Sequence, residues 1–506
     1  MWRIFPPEAA MSDIVKSPPA KARPGAVDAL IVPADDEPLY EGRREIYQQS
    51  VKGRLRTIKW AVLVVCLGIY YFLPFLRWYR GPNQPDQAVL VDIANNRFYF
   101  FFIEIWPQEV YYFTGLLVMA SLILFLMNAV AGRVWCGYLC PQTVWTDLFT
   151  VVERWVEGDR RERMMADAKP MTVAKFGRKT LKHFLWLMIA WWTGGAWVLY
   201  FADAPTLVKD LATFQAPMVA YVWIGILTFT TYSLAGLMKE QVCLYMCPWP
   251  RIQAALTDQY ALNVTYRYDR GEPRMSTKAA VKAREANEPA GDCIDCRQCV
   301  VVCPTGVDIR DGSQLGCIQC GLCIDACNSV MAKVNQPLGL IAYDNDVNID
   351  RRRQGLDEVY PLIRTRTVLY VAMIAAVGLV MLYGLMTRSF TDLSVLHDRN
   401  PLFVQNSDGS IRNSYTVRIL NKRPQHRIFV LAVDELRLAR INAIGITTTS
   451  GDWPVIDVGP DSTREVIVHV TAPATANLPP SSSITFRITE LGSGEKVSVR
   501  DHFIAR

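Results

Sequence analysis

The chain of 506 residues has room for two or three folding units. It is 51% hydrophobic with a positive mean hydropathy, which points to membrane spans, and its formal charge of +6 is too small to leave the footprint of a nucleic-acid-binding protein. Of thirteen cysteines, eight lie between Cys293 and Cys327 and none lies beyond, so they read as metal ligands in a reducing compartment and not as a disulfide framework.

Residues 1–42 are rich in Pro, Ala and Asp without sustained periodicity and read as a disordered cytoplasmic tail, not a signal peptide; Met11 is an alternative start. Five stretches free of charged residues follow, at 60–76, 110–132, 184–202, 211–238 and 367–387, each near the length a helix needs to cross hydrocarbon. The first contains Pro74 and the fourth Pro217, which leaves those two ends the least defined. Lone Cys66 in the first stretch reads as core. Basic residues crowd into Arg43 to Lys59, Arg133 to Lys182 and Arg351 to Arg366, whereas the loops from Trp78 to Glu109 and from Asp203 to Asp210 carry few. Because Lys and Arg are retained on the cytoplasmic side, the N-terminus and the cysteine array are expected in the cytoplasm and the C-terminus outside. The aromatic run from Arg97 to Trp106 is expected along the outer membrane interface.

Two spans end in similar strings, Arg133 to Trp145 and Lys239 to Arg251, a weak internal repeat. Each holds a C-x-x-x-C-P motif, Cys136 with Cys140 and Cys243 with Cys247. Residues four apart share a helix face, but Pro141 and Pro248 deprive a carbonyl of its partner. Each span is therefore expected to break near Gly137 or Leu244 and a new helix to begin at the proline. Either geometry leaves the sulfurs together at the membrane mouth, where paired thiolates suit Cu(I), zinc or iron–sulfur clusters; the bland alternative is packing cysteines.

The array itself reads Cys293, Cys296, Cys299, Cys303 and then Cys317, Cys320, Cys323, Cys327. Three closely spaced cysteines on a tight loop supply three thiolates to a cubane, and in two-cluster ferredoxins the fourth comes from the other motif. This assigns Cys293, Cys296, Cys299 and Cys327 to one [4Fe-4S] cluster and Cys317, Cys320, Cys323 and Cys303 to the other. Asn328 stands where Pro usually follows the last cysteine. Two structural zinc sites are the alternative, although zinc ligands usually come as two separated couples. No His lies inside a span, since His183 only borders the third, so a bis-histidine haem has no ligands here. Met164 and Met165 read as filler, and His397, His426, His469 and His502 are scattered without a cysteine among them.

After Arg388 alternating apolar and polar stretches separated by Gly, Pro, Asn and Asp predict about seven short strands in an immunoglobulin-like β-sandwich without its disulfide. The expected organisation is a tail (1–42), four transmembrane helices (43–250), a cytoplasmic ferredoxin-like domain (251–366), a fifth transmembrane helix (367–387) and a periplasmic β-sandwich (388–506).

In this order of features the chain resembles the FixG/RdxA/CcoG family of accessory proteins for cbb-type haem-copper cytochrome oxidases. The strings "CGYLCP" and "CLYMCP", the double cubane array, a last span and an outer β-domain carry the resemblance over nearly the whole chain after about residue 40. The resemblance implies a protein of the bacterial cytoplasmic membrane that reduces Cu(II) to Cu(I), a cupric reductase whose copper-handling residues map onto Cys136, Cys140, Cys243 and Cys247. The partners it implies are copper chaperones or a copper-transporting ATPase and the oxidase assembly machinery. The electron donor is not readable, and a second copy of the chain is a candidate partner. Two rival readings are a quinol-linked membrane ferredoxin feeding a reductase complex and an assembly scaffold with structural clusters.

Overall fold

The computed structural model of the protein describes residues 45–81, 84–423, 425–436, 439–473 and 478–505; the expected tail lies outside them. Among the described residues four helices are long and apolar enough to cross a membrane: Arg54–Phe75, Tyr111–Ala131, Met218–Met238 and Thr365–Thr387. Their apolar side chains run all round the helix and many stay exposed, such as Val64, Leu117, Phe229 and Leu379, as suits helices whose solvent is lipid. Cys66 shares this setting and is only partly buried, so it is not the core residue that the sequence suggested.

In chain order the first span is α1 (Arg54–Phe72), continued by a short turn at Leu73–Phe75. An antiparallel sheet of β1 (Val89–Asp92), β2 (Arg97–Phe100) and β3 (Ile103–Ile105) follows. The aromatic run therefore folds into a hairpin, with Tyr99 buried and Phe100 and Phe102 exposed. Next come α2 (Tyr111–Ala131), the short α3 (Val134–Tyr138), α4 (Pro141–Glu157), α5 (Arg160–Asp167) and α6 (Val173–Val198). The third expected span is the latter part of α6, which stops at Val198 and is diluted by Trp186, Trp191, Trp192 and Trp197. Tryptophan prefers the interface to the hydrocarbon, so α6 falls short of the other four and the count of five is not confirmed. The fourth expected span also starts late. Residues 204–212 form a separate helix, α7 (Ala204–Ala212), Phe214 takes a φ of 58°, and α8 (Met218–Thr231) begins only after Pro217.

Beyond α8, π-helical turns at Tyr232–Met238 and Val242–Met246 lead to α9 (Trp249–Leu256). The array is framed by β4 (Asn263–Tyr266) and β5 (Ile341–Asp344), which pair antiparallel. Between them lie α10 (Tyr268–Gly271), α11 (Thr277–Glu285), α12 (Gln298–Val301) and α13 (Leu322–Lys333). After β5 come α14 (Asp346–Arg353) and the last span, α15 (Thr365–Thr387).

The C-terminal domain has two five-stranded sheets, more than the seven strands expected, because short pairs at the edges add to the long alternating strands. One sheet joins β6 (Thr391–His397), β7 (Val404–Gln405), β8 (Ile411–Asn421), β10 (Arg440–Ala443) and β13 (Ser462–Ala472). The other joins β9 (Arg427–Asp434), β11 (Thr449–Ser450), β12 (Trp453–Val458), β14 (Ser481–Glu490) and β15 (Lys496–Ile504). Alternate residues of β8, β9 and β14 point into one core, where Tyr415 and Phe486 meet edge to face with centroids 4.8 Å apart.

This domain rests on the small sheet of β1, β2 and β3 and its flanking turns. Lys422 bonds to Glu109 at 3.0 Å with both side chains nearly fully buried, and Asp461 accepts from Gln84 at 2.6 Å. A buried ion pair of this kind is costly to break from one side, so it fixes the docking geometry. Replacing Phe486 with Ala removes a fully buried ring, and we expect the sandwich to lose about 3–5 kcal/mol. Chemical denaturation followed by tryptophan fluorescence should show that loss while the visible absorbance of the clusters is unchanged.

Candidate functional site

The two cysteine loops have the same backbone device. Asp295 and Arg297 take φ values of 50° and 55° in the first, and Gln319 and Gly321 take 55° and 72° at the matching positions of the second. Left-handed residues alternating with right-handed ones curl a short chain around a concavity, so the three cysteines of each loop face a common centre. Glycine at 321 also leaves room for α1, since a Cβ there would lie 2.6 Å from Leu55 Cδ1.

Each loop surrounds a cavity. One, of about 330 Å³, is lined by Cys293, Cys296, Cys299 and Cys327. The other, of about 340 Å³, is lined by Cys303, Cys317, Cys320 and Cys323, with Cys299 on its shared wall. These are the two sets that the ferredoxin spacing assigns, and α13 contributes Cys323 to one and Cys327 to the other. Among the described residues no three His, Cys, Asp or Glu side chains converge closely enough to hold a single metal ion. Thiols that line a common cavity without closing to single-ion distance suit a cubane better than zinc, so the residues fit two [4Fe-4S] groups. Burial pushes the Cys299, Cys317 and Cys327 thiols up to about 12, and raises Cys320 and Cys323 as well. Protonated buried thiols must release protons when they take up iron.

The C-x-x-x-C-P segments seat against the second loop. A Cβ on Gly137 would lie 2.8 Å from the Ile318 carbonyl oxygen and 3.0 Å from the Cys320 Cα. The Tyr138 hydroxyl donates to the Cys320 carbonyl at 3.0 Å, and Arg133 Nη1 donates to the Leu315 carbonyl at 2.6 Å. The Gln319 side chain accepts from the Arg133 N–H at 2.7 Å and donates to Asn263 Oδ1, while its carbonyl accepts from the Tyr343 hydroxyl at 2.7 Å. From the second motif Leu244 packs on Gly316, and a cavity of about 720 Å³ lies between Leu244, Met246, Cys247 and Leu315. On another side Cys243 shares a cavity of about 380 Å³ with Pro304 and Thr305, the residues that follow Cys303.

The repeat is structural as well as sequential. Gly132 (φ 51°, ψ −122°) and Lys239 (φ 45°, ψ −114°) make the same turn at the ends of their spans. The chain thus breaks earlier than Gly137 and Leu244, because the left-handed residue and not the proline ends each span. A short helical segment then carries Cys136 or Cys243, Cys140 or Cys247 is extended, and the next helix starts at Pro141 or directly after Pro248. Lysine in this conformation is strained by about 1–3 kcal/mol, and its Nζ is held 2.9 Å from the buried Glu153 carboxylate, which also pairs with Arg163. The deeper cysteine of each motif lies by Ile318 of the second loop: Cys136 packs against the cluster of Ile318 and Cys320, and Cys243 lines a cavity with Ile318. The Cys136 and Cys243 thiols are pushed up to about 12, first by burial and then by Cys140, and Cys247 acts on both. Cys136 also lies 3.2 Å from Gln253 Oε1, and Cys247 is exposed. The structure therefore brings the two pairs into one neighbourhood without closing them into a four-ligand site.

Membrane-crossing helices joined to two ferredoxin-type four-thiol cavities define a membrane-bound iron–sulfur electron-transfer protein. The chain belongs to the FixG/RdxA family: it is 49% identical to nitrogen fixation protein FixG of Rhizobium meliloti over 91% of this chain and 93% of that one. It is 47% identical to protein RdxA of Cereibacter sphaeroides over 91% and 96% of the two chains, and 51% identical to protein RdxB of the same organism over 78% and 83%. The family model for a 4Fe-4S dicluster domain matches residues 238–346, and the one for the IG-like fold at the C-terminal of FixG, putative oxidoreductase, matches 381–506. A 4Fe-4S binding domain matches 112–158, where the only cysteines are Cys136 and Cys140, so that match marks the membrane-end motif and not a third set of four thiolates.

Arg133, Gln319, Tyr138 and Lys239 were not singled out in the sequence, although the glycine and the basic residue just ahead of the first motif were visible signals. With Cys303 replaced by Ser, we expect iron to fall from about eight to about four per chain. The remaining EPR signal should be the one that Cys293→Ser abolishes.

Proposed function

We propose that the protein is a cupric reductase serving the assembly of a cbb-type haem-copper oxidase. The observation that supports this reading is the seating of both C-x-x-x-C-P segments on the loop from Leu315 to Cys320, with Cys136 packed by Ile318 and Cys320, and Cys243 and Cys247 lining cavities shared with Ile318 and Leu315. The [4Fe-4S] groups supply one-electron reducing equivalents. Cu(II) gains one electron and leaves as Cu(I), and a one-electron donor restores the protein. Thiols prefer the product ion to the substrate ion, so Cys136, Cys140, Cys243 and Cys247 pull the reaction forward by holding Cu(I). The deep thiols Cys136 and Cys243 are protonated at neutral pH, so each proton is displaced as copper binds. A copper chaperone, a copper-transporting ATPase or the oxidase assembly machinery then takes the ion.

Replacing all four of these cysteines with Ser leaves the array untouched, and we expect iron content and cluster spectra to remain normal. Cu(II) reduction by chemically reduced protein should fall at least tenfold, because hydroxyls hold Cu(I) poorly. A variant that reduces copper at the native rate would leave the pairs as packing residues.

The same reading places the array in the cytoplasm and the β-sandwich in the periplasm, with α6 as a fifth crossing. An odd number of crossings is what separates those two parts, and the basic flanks of α1 and α15 support the direction. Reporter fusions near residue 280 should report cytoplasm and fusions after residue 450 the outside. Both on one side would remove α15 as a crossing, and the array outside with the sandwich in the cytoplasm would remove α6 from the count.

A further inference from the structure

The two cavities differ in the charge that is buried around them. Against the cavity of Cys293, Cys296, Cys299 and Cys327 the nearest buried cation is Arg310, and it is more than neutralised. Asp308 lies 2.6 Å and Asp295 2.5 Å from its guanidinium. Against the cavity of Cys303, Cys317, Cys320 and Cys323 stands Arg133, only 7% exposed, and among the described residues no carboxylate lies within ion-pair distance of it. Its guanidinium is spent on backbone carbonyls of the cysteine loop, Leu315 at 2.6 Å and Cys317 at 3.4 Å.

A second cation acts from the other side. Lys59 of α1 is 4% exposed and lines the cavity that Thr305 and Ile318 of the two cysteine loops also line. Its one carboxylate, Asp147, is 3.9 Å away and already gives both oxygens to Arg56 at 2.9 Å. Asp325 and Glu240 are the other buried carboxylates here: Asp325 accepts the backbone N–H groups of Leu55 and Arg56 at the start of α1, where the helix dipole is positive, and Glu240 lines a cavity with Lys59, Asp147 and Ile318. Three cations (Arg133, Lys59, Arg56) therefore face three carboxylates (Asp147, Asp325, Glu240) around this cavity, with Arg133 itself left to backbone carbonyls, against one cation and two carboxylates beside Arg310.

A four-thiolate cubane becomes more negative by one unit on reduction, and buried positive charge favours the reduced form. We infer that Arg133 and Lys59 tune the cluster of Cys303, Cys317, Cys320 and Cys323 to the higher potential, so that electrons entering the array collect at the cluster against which the C-x-x-x-C-P segments are seated. The cytoplasmic-facing loop with exposed Cys296 is then the entry side and the membrane-facing loop the exit side. The direction of flow rests on the cupric reductase reading, but the difference in potential does not.

The test is a potentiometric EPR titration of the full-length protein in detergent, without copper. In Arg133→Gln one of the two midpoints should fall by more than 59 mV, which is a tenfold change in a one-electron equilibrium, while the other holds. Arg133→Lys, which keeps the charge, should recover most of the shift; a loss as large as that of Gln would show that the loop contacts and not the charge set the potential, and would overturn the inference. In a Cys303→Ser background, where the other cluster alone remains, Arg133→Gln should move nothing. Should Arg133→Gln lose iron, Lys59→Gln gives the same reading, because Lys59 makes no hydrogen bond to the loop. Midpoints that stay put in both variants, or two that fall together, overturn the inference. Because copper is absent, these outcomes are independent of whether Cu(II) is the substrate.

Discussion

The side chain of Gln319 joins the parts of this molecule that do chemistry to the parts that sit in the membrane. Its amide oxygen accepts from the backbone of Arg133 and its amide nitrogen donates to Asn263, so one residue of the second cysteine loop is hydrogen-bonded to the end of one span and to the strand that frames the array. The cost of a buried amide is offset only when every polar atom is satisfied, and here the backbone carbonyl of Gln319 is also taken by Tyr343. The left-handed turn at Gly132 makes room for this arrangement, since a Cβ there would lie 2.2 Å from Asn263 Oδ1 and 2.6 Å from Gln319 Oε1. The loop that carries three of four thiols is thus held by the membrane domain and not only by its own sequence.

The internal repeat explains why two motifs meet one loop. Each half ends its span with the same positive-φ turn, swings a cysteine-bearing segment across, extends through the second cysteine and starts a new helix at or directly after the proline. The halves differ in how the turn is tolerated. Glycine adopts it freely, whereas lysine is kept there by Glu153, a carboxylate buried among Arg163, Lys182 and Lys239. Burial opposes ionisation of Glu153, yet the three cations hold its carboxyl below the usual range.

The array was legible from spacing alone, because C-x-x-C-x-x-C loops leave few ways to gather thiols, and the crossover of Cys303 and Cys327 followed from the same rule. The four apolar helices were legible from composition, and the β-domain from its period of two. What escaped was set by contacts distant in sequence. The tryptophans of α6 separate its length from its apolarity, and nothing local tells that Phe214 would end α7 and delay α8. The role of Arg133 emerges only when residues 182 positions apart are placed together. The small strands β7, β10 and β11 are too short to show alternation.

The seating of Leu315 to Cys320 on residues 132–138 also orders the birth of the molecule. Those membrane-end residues leave the ribosome long before the array, so the second loop emerges to find its cradle already made, provided the first spans have been inserted. A fragment cut to residues 251–366 has the eight thiols, Asn263 and Tyr343 but lacks the donors for the carbonyls of Leu315 and Cys320 and the Arg133 N–H that donates to Gln319. The cluster-bearing segment is therefore not a detachable ferredoxin, and metal loading at its second loop is coupled to membrane insertion: a chain that fails to enter the bilayer also fails to present a finished pocket to the machinery that delivers iron and sulfide.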